Sequence, residues 1–476
     1  MDSRILLKSL PVALVALAAA VLLVAGCGGG ATAATATAPI KPVTETGPSF
    51  VVGTDAPMAS LVSFAVQIES ISATDANGNT VSLLSGKPTV DFARFNGLQT
   101  LLDMNDVAVG TYSNISITLG SATLGYLNMS ASGAPTIATE PAVYPSSAST
   151  YTYTTTLAKP IVVANASTPV GLYIDFDLRK SIEVDTKGKI TGGVTPTFNV
   201  NGVGTGDSGG YIDCFEAAVV SAPAAGAQSF VVQGPHGEQF TVNVNGQTEW
   251  ENNESISDLT SSSIVQVSGT LDKADQTLDA DDVAIFSQNG FYAGGLVTYV
   301  QPATGTGAGF DFYVGGVLPT TTGLTLGQIA QVDLTGNENF FIYWFHNPLT
   351  EFLFNSSQLL PGQHVTVGGP AGGATNAQDV TVKRVVLRHW GYNGTVVAGS
   401  ENTANGTFQM QIAGFAGVLV PQKVTVYTAG RTDFRNGWSG IGSVTDGANV
   451  RVVGLLLKDP LSGGTVLLAR YVDEPD

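Results

Sequence analysis

The sequence predicts an all-β chain, an N-terminal β-sandwich followed by three OB-like small β-barrel repeats. Three observations carry this reading. No extended stretch after residue 48 repeats its apolar residues with a helical period. Alternating or β-branched runs such as "SFAVQIESISA", "TYSNISITLG", "YTYTTTLAKPIVV" and "KVTVYTAG" recur between Gly, Asn, Asp and Pro clusters. Five sequence markers also return in the same order three times between residues 215 and 473.

At the N-terminus, Arg4 and Lys8 precede the uncharged run "LPVALVALAAAVLLVAG". A basic segment before such a run is a secretory signal, here residues 1–26, and it stands outside the fold. The run ends in "LVAGC", which resembles the lipobox of bacterial lipoproteins. The resemblance implies that Cys27 is diacylated, becomes the new N-terminus and anchors the chain in membrane lipid. An uncleaved membrane helix is the alternative, since the run is nearly long enough to span. Residue 28 is Gly rather than Asp, which under the sorting habits of Gram-negative lipoproteins implies the outer membrane or cell surface. Residues 27–48 are small residues and prolines that cannot bury a core, and they read as a tether.

Charged residues make up 12% of the chain and apolar ones 43%, with a formal net charge of −18. Acidic surfaces repel phosphate backbones, which argues against nucleic acid as a partner. Cys27 and Cys214 are the only cysteines. With Cys27 acylated, Cys214 has no partner for a disulfide, and without a basic neighbour in sequence its default is inert burial.

Residues 49–201 read as the sandwich. In "SFAVQIESISA", Phe64, Val66 and Ile68 share one face and Ala65, Gln67 and Glu69 the other, the pattern of a half-buried antiparallel strand. "DANGN" supplies a hairpin turn. The Thr54-Asp55-Ala56-Pro57 opening, "AVGTYSNISITL" and "YIDFDL" resemble an uncharacterised domain family of bacterial secreted lipoproteins, a domain of unknown function. That likeness implies a small β-sandwich and no activity. "GYLNMSASGAPTIATEPAVYPSSAST" reads as an irregular insertion, and residues 202–214 as a linker.

The repeats are placed at 215–286, 292–388 and 391–473. Each opens on an aromatic residue four before an apolar one: Phe215/Val219, Tyr292/Leu296 and Tyr392/Val396. A second strand begins at Phe230, Phe310 and Phe408, and "GQTEW", "GNENF" and "GRTDF" follow. Leu259, Leu359 and Val444 stand six residues before the "VxVxG" strands Val265-Val267-Gly269, Val365-Val367-Gly369 and Val450-Val452-Gly454. The units close with Ala280/Val283, Ala377/Val380 and Ala469/Val472. Five strands with a short link before the fourth is the order of an OB-like barrel. The units also resemble a second uncharacterised bacterial family of small tandem β modules; the middle one departs by the aromatic insertion "FFIYWFHNPLTEFLF".

For chemistry, Gly206-Asp207-Ser208-Gly209-Gly210 resembles the nucleophile segment of chymotrypsin-like proteases. That family needs a histidine before the serine, and His236, His346, His364 and His389 all follow it. The string reads as a glycine-rich linker, and no catalytic residue is expected. The histidines lack metal-ligand spacing, so no metal or other cofactor is expected. Asp75, Asn77 and Asn79, and Asp279, Asp281 and Asp282, read as turn chemistry, with a weak calcium loop as the alternative. Tyr343, Trp344 and Trp390 are the candidate ligand-stacking rings, with packing between modules as the competing use. The functional expectation is a lipid-anchored, noncatalytic surface scaffold or binding protein with a glycan or protein partner. A glycan binder using exposed rings, and a hydrolase with a site assembled from distant loops, are the alternatives.

Overall fold

The computed structural model describes residues 45–56, 61–95, 100–128, 134–166, 169–186, 190–203, 211–234, 239–272, 277–304, 307–319, 321–342, 352–413, 419, 423–435, 437–460 and 462–473. All lie in one compact unit, Thr44–Asp476. Residues 1–44, the Gly206–Gly210 string, His236, Tyr343, Trp344 and His346 are outside the described residues, as is the side chain of Cys214.

The sandwich is built from β1 (Thr46–Ala56), β2 (Leu61–Asp75), β3 (Thr80–Ser82), β4 (Thr89–Asp91), β5 (Thr100–Ala108) and β6 (Gly110–Asn128). It continues with β7 (Thr136–Pro141), β8 (Tyr151–Val163), β9 (Val170–Asp177), β10 (Ile182–Val184), β11 (Ile190–Val194) and β12 (Phe198–Val203). One sheet runs β12-β9-β1-β5; the other runs β3-β2-β6-β7, with β4 added on β2 and β8 on β6. The expected face of Phe64, Val66 and Ile68 is buried between them, against Leu172, Ile174 and Phe176. Phe64 and Phe176 meet edge to face at 5.1 Å. At the "DANGN" turn, the Asp75 carboxylate accepts from the backbone N–H groups of Asn77 and Asn79, both at 2.8 Å. Gly78 supplies φ of 85°, a left-handed backbone that favours glycine.

The segment expected to be an irregular insertion is partly regular. β6 runs on to Asn128, and β7 pairs with it from Thr136 to Pro141. Gly, Pro and Ser dominate the sequence there, which hides a short polar edge strand anchored by Ile137. The expected linker also shrinks, because β12 continues to Val203 and the next strand starts at Tyr211.

The first barrel comprises β13 (Tyr211–Val219), β14 (Ser229–Gln233), β15 (Gln239–Asn243), β16 (Glu249–Trp250), β17 (Ile264–Asp272) and β18 (Thr277–Ser287). The second comprises β19 (Gly290–Thr304), β20 (Gly307–Leu318), β21 (Ile329–Leu334), β22 (Asn339–Ile342), β23 (His364–Pro370), β24 (Val380–Thr381) and β25 (Arg384–Arg388). The third comprises β26 (Trp390–Val396), β27 (Thr407–Ile412), β28 (Lys423–Arg435), β29 (Asn449–Lys458) and β30 (Thr465–Asp473).

The first and third barrels have the ring order one-two-three-five-four, closed where strand three meets strand five in parallel; the second follows the same order with strand five split into β24, paired to strand three, and β25, paired to strand four. The closing pairs are Val242↔Leu278, Val332↔Val380 and Val426↔Leu467. This is the OB arrangement. The "VxVxG" valines have no exposure in any of the three. Leu259, Leu359 and Val444 are buried, each directly after a one-turn 3-10 helix, the short link expected before strand four. The marker aromatics Trp250, Phe340 and Phe434 each pack against their own barrel.

Two markers slip in the second barrel. Phe215 and Tyr392 stand opposite Val267 and Val452, but Ala293, not Tyr292, stands opposite Val367. The same shift replaces Leu296 by Val297, whose N–H donates to Gln363 as those of Val219 and Val396 donate to Ser263 and Ala448. A one-residue shift changes the face of the sheet. Tyr292 and Leu296 therefore point outward, into the seams between modules. At the other end, Val283 and Val472 correspond to Val385, which faces Val367, because strand five is interrupted between β24 and β25.

In the first and third barrels the marker glycine faces a bulge in strand five, where Asp281 and Arg470 are the extra residues. Register shifts fall at Ser268/Gly269 and Val453/Gly454, inside β17 and β29. A Cβ on Gly269 would lie 2.2 Å from the carbonyl oxygen of Asp279, and one on Gly454 would lie 2.3 Å from that of Leu468. Only a glycine lets strand five approach so closely.

Seams join the modules. Phe50, Val52 and Leu101, on the face of β1 and β5 away from the sandwich core, belong to the apolar cluster of the first barrel. Between the first two barrels, Arg384 pairs with Glu254 at 3.1 Å and buried Arg388 with Glu251 at 3.3 Å. Between the second and third, Gln363 donates to the Leu456 carbonyl at 2.9 Å, and the Tyr392 hydroxyl to that of Gly362 at 2.8 Å.

Candidate binding faces

Trp390, the one described member of the predicted stacking set, begins β26 and is half-buried. One face of its ring lies on His364, with centroids 4.4 Å apart and planes 13° from parallel. Burial, and then the charges of Arg388 and Arg94, push the His364 imidazole down to about 3, so the stack is neutral. Trp390 also packs against the seam formed by Val62, Leu296 and Tyr313. Trp438 is buried in the third barrel, and Trp250 leans on the first barrel core beside Phe230. Each described tryptophan thus packs on a core or a seam, Trp250 and Trp390 remaining half-buried.

Among the described residues no three His, Cys, Asp or Glu side chains gather in a way that could hold a metal ion. Asp75 is occupied by its turn, where hydrogen bonds led by the Asn79 side chain hold its carboxyl below the usual range. Asp279, Asp281 and Asp282 fall on β18, where Asp281 is the extra residue of a bulge and exposed, while Asp282 pairs with Ser268 and is buried.

The broad outward surface with a regular chemistry is a face of the sandwich that sequence reasoning missed. Register aligns Ser82, Ser72, Ser116 and Thr154 in one row across β3, β2, β6 and β8. Thr80, Thr74, Asn114 and Thr156 form a second row, and Ser70, Thr118 and Thr152 a third. All are half-buried or exposed, and none is charged. Neighbours bond across strands: Thr118 and Thr152 hydroxyls meet at 3.1 Å, and the Thr156 hydroxyl donates to the Asn114 side chain at 2.8 Å. Alternation in "TYTTT" and "SNISIT" carried the information, but the face appears only when register sets the strands side by side.

OB barrels commonly bind on the outer face of strands two and three. In the first barrel that face carries Val231, Gln233, Gln239, Thr241 and Asn243, with Asn243 donating to Asp279 at 2.9 Å. In the third it carries Gln409, Gln411, Lys423, Thr425 and Tyr427, the last in edge contact with Phe352 at 6.3 Å. In the second it is covered, since Tyr313 packs on Val62 and donates to Asp91 at 3.4 Å. Two OB faces therefore remain open, polar and nearly uncharged.

Fold and surface define an all-β protein, a sandwich followed by three OB-type barrels. Comparison with known families agrees with this division. Residues 51–191 match the model of Domain of unknown function (DUF4382), and residues 218–284, within the first barrel, match Domain of unknown function (DUF5666). No curated protein matches the chain. Among solved structures, one titled drosophila Unr CSD456 is similar at 10% identity, over 55% of this chain and 97% of that one. Its TM-score is 0.14.

Proposed function

We propose that this chain is an exported, lipid-anchored, noncatalytic binding protein of the bacterial cell envelope. Cys27 carries the anchor, residues 27–48 form the tether, and the β units present surfaces at the outer membrane or cell surface. The partner is a neutral, hydroxyl-rich glycan held by hydrogen bonds rather than by ring stacking or charge. The observation that supports this reading is the division of labour among side chains. The described tryptophans pack in cores and seams, while the open faces of sheet and barrels offer Ser, Thr, Asn and Gln. Single-stranded nucleic acid would call for exposed aromatics and a basic groove on the OB faces. The first barrel's face offers neither, and the third offers one cation, Lys423, and one half-buried ring, Tyr427, that packs against Phe352.

The test places two cations in the hydroxyl face, as Thr118→Lys with Thr154→Lys, in the full-length, membrane-displayed protein. Binding of purified envelope polysaccharide should fall by about tenfold or more, the scale of losing several hydrogen bonds. Binding unchanged, with the fold intact by circular dichroism, would remove the hydroxyl face from the account.

A further inference from the structure

The sandwich and the first two barrels meet at one carboxylate. Glu216 stands on the outward face of β13 and is largely covered, its side chain 14% exposed. Arg94, the last residue of the 3-10 turn Phe92–Arg94 in the sandwich, brings Nη2 to 2.5 Å from Glu216 Oε2. From the second barrel, the Tyr292 hydroxyl donates to Glu216 Oε1 at 2.6 Å. Gln266, on neighbouring β17, donates to the same oxygen at 3.4 Å. Both oxygens are thus engaged, one by the sandwich and the other by the two barrels.

The turn that supplies Arg94 is itself fixed from both sides. Asp91, immediately before it, accepts from the Phe64 N–H and the Ser63 hydroxyl, each at 2.8 Å, which pins the turn to β2. Its Oδ2 also receives the Tyr313 hydroxyl of the second barrel at 3.4 Å. Arg94 in turn donates from Nη1 to the Gly315 carbonyl at 3.3 Å. One short turn therefore presents an anion and a cation three residues apart. Both touch the second barrel, and the cation also reaches the first. The off-register Tyr292 gains its role here: Ala293 faces its barrel interior, so the ring is turned outward to Glu216.

We infer that Glu216 is a three-way latch that sets how the sandwich sits on the first two barrels. The apolar seams supply buried area but little directionality, because hydrophobic contact is not oriented. A charge-assisted pair and a short hydroxyl bond on one carboxylate do impose a geometry. The two barrels hold each other independently through Arg384–Glu254 and Arg388–Glu251. Releasing Glu216 therefore loosens the sandwich against the barrels and leaves the seam between the barrels in place.

The test is peptide-resolved hydrogen exchange on the full chain carrying Glu216→Gln, which keeps the shape and removes the charge. Exchange in peptides covering Phe92–Arg94, β13 and Gly315 should rise about tenfold or more, the order expected when one partner of a largely buried pair is lost. Peptides of β29 and β30 in the third barrel should stay within about twofold, the scale of an uncoupled distant site. Tyr292→Phe deletes only the hydroxyl and should raise exchange in β13 and β19 while leaving Phe92–Arg94 less affected. Arg94→Met combined with Glu216→Gln should be markedly non-additive, by about fivefold or more in the opening constant. Additive effects of Arg94→Met and Glu216→Gln, or wild-type exchange at Phe92–Arg94 in Glu216→Gln, would overturn the latch. So would an equal rise across all three barrels in Tyr292→Phe.

Discussion

Val267→Asp places a carboxylate at the centre of the first barrel. Val267 has no exposure; it lies opposite Phe215 on β13 and Val283 on β18. Removing the valine forfeits about 1.5–3 kcal/mol of apolar burial. An unpaired buried carboxylate then costs several kcal/mol more, or stays protonated at a similar penalty. The sum approaches the roughly 5–15 kcal/mol that holds a whole domain together. Val267→Ala is the graded control and should cost only about 1–3 kcal/mol, the scale of a modest core truncation. Denaturant unfolding and hydrogen exchange on the full chain read both. In Val267→Asp, protection should vanish from β13 to β18. The sequence alone implies that the damage stops there. The structure extends it to β1 and β5, because Phe50, Val52 and Leu101 share that apolar cluster. The third barrel, with its own cluster around Phe408, Met410 and Val452, should keep its protection. Persistent protection of β17, or of β1 while β17 is lost, would refute the shared-core reasoning.

Four further expectations follow from particular residues. Gly269→Ala should destabilise by about 1–3 kcal/mol or more in chemical denaturation, an overpacking cost set by the Asp279 carbonyl, whereas Gly246→Ala, with open space around it, should be nearly neutral. Arg388→Met should lower the melting temperature, because Glu251, 13% exposed, loses its ion-pair partner in the seam between the first two barrels. His364 accepts a proton near pH 6.5 in the unfolded chain but only near about 3 when folded, so stability should drop as pH falls through that window, by up to a few kcal/mol. His364→Phe keeps a ring on Trp390 and should flatten that slope in pH-dependent unfolding. Cys27→Ser should move the protein out of the membrane fraction or leave it unprocessed, as read by fractionation and acyl labelling; a mature, acyl-labelled variant would contradict the anchor.

The fold was largely legible because packing leaves periodic traces. The "VxVxG" valines, the Leu259, Leu359 and Val444 positions and the alternation of β2 all occupy the predicted faces. Errors gathered in the second barrel, where the sequence offers a conspicuous tyrosine beside an inconspicuous alanine. Tyr292 looked like a core aromatic, and Ala293 held the core position, because neighbours on a strand differ only in face. The interruption between β24 and β25 displaced a second marker for the same reason. The candidate site was far less legible. A hydroxyl row spanning β3, β2, β6 and β8 draws on residues from 70 to 156, and no local pattern states which strands will be neighbours. The same holds for Glu216, whose partners Arg94 and Tyr292 lie 122 and 76 residues away.

The central structural claim is that one barrel, closed by parallel pairing of strands three and five, occurs three times. Methyl-resolved nuclear Overhauser measurements on the full chain test it directly. The closing pairs Val242–Leu278, Val332–Val380 and Val426–Leu467 are all buried and all carry methyl groups. Close methyl contacts should appear within all three pairs. Contacts missing from any one of them, with strands two and three still paired, would mean an open sheet in that unit and would contradict the threefold repeat.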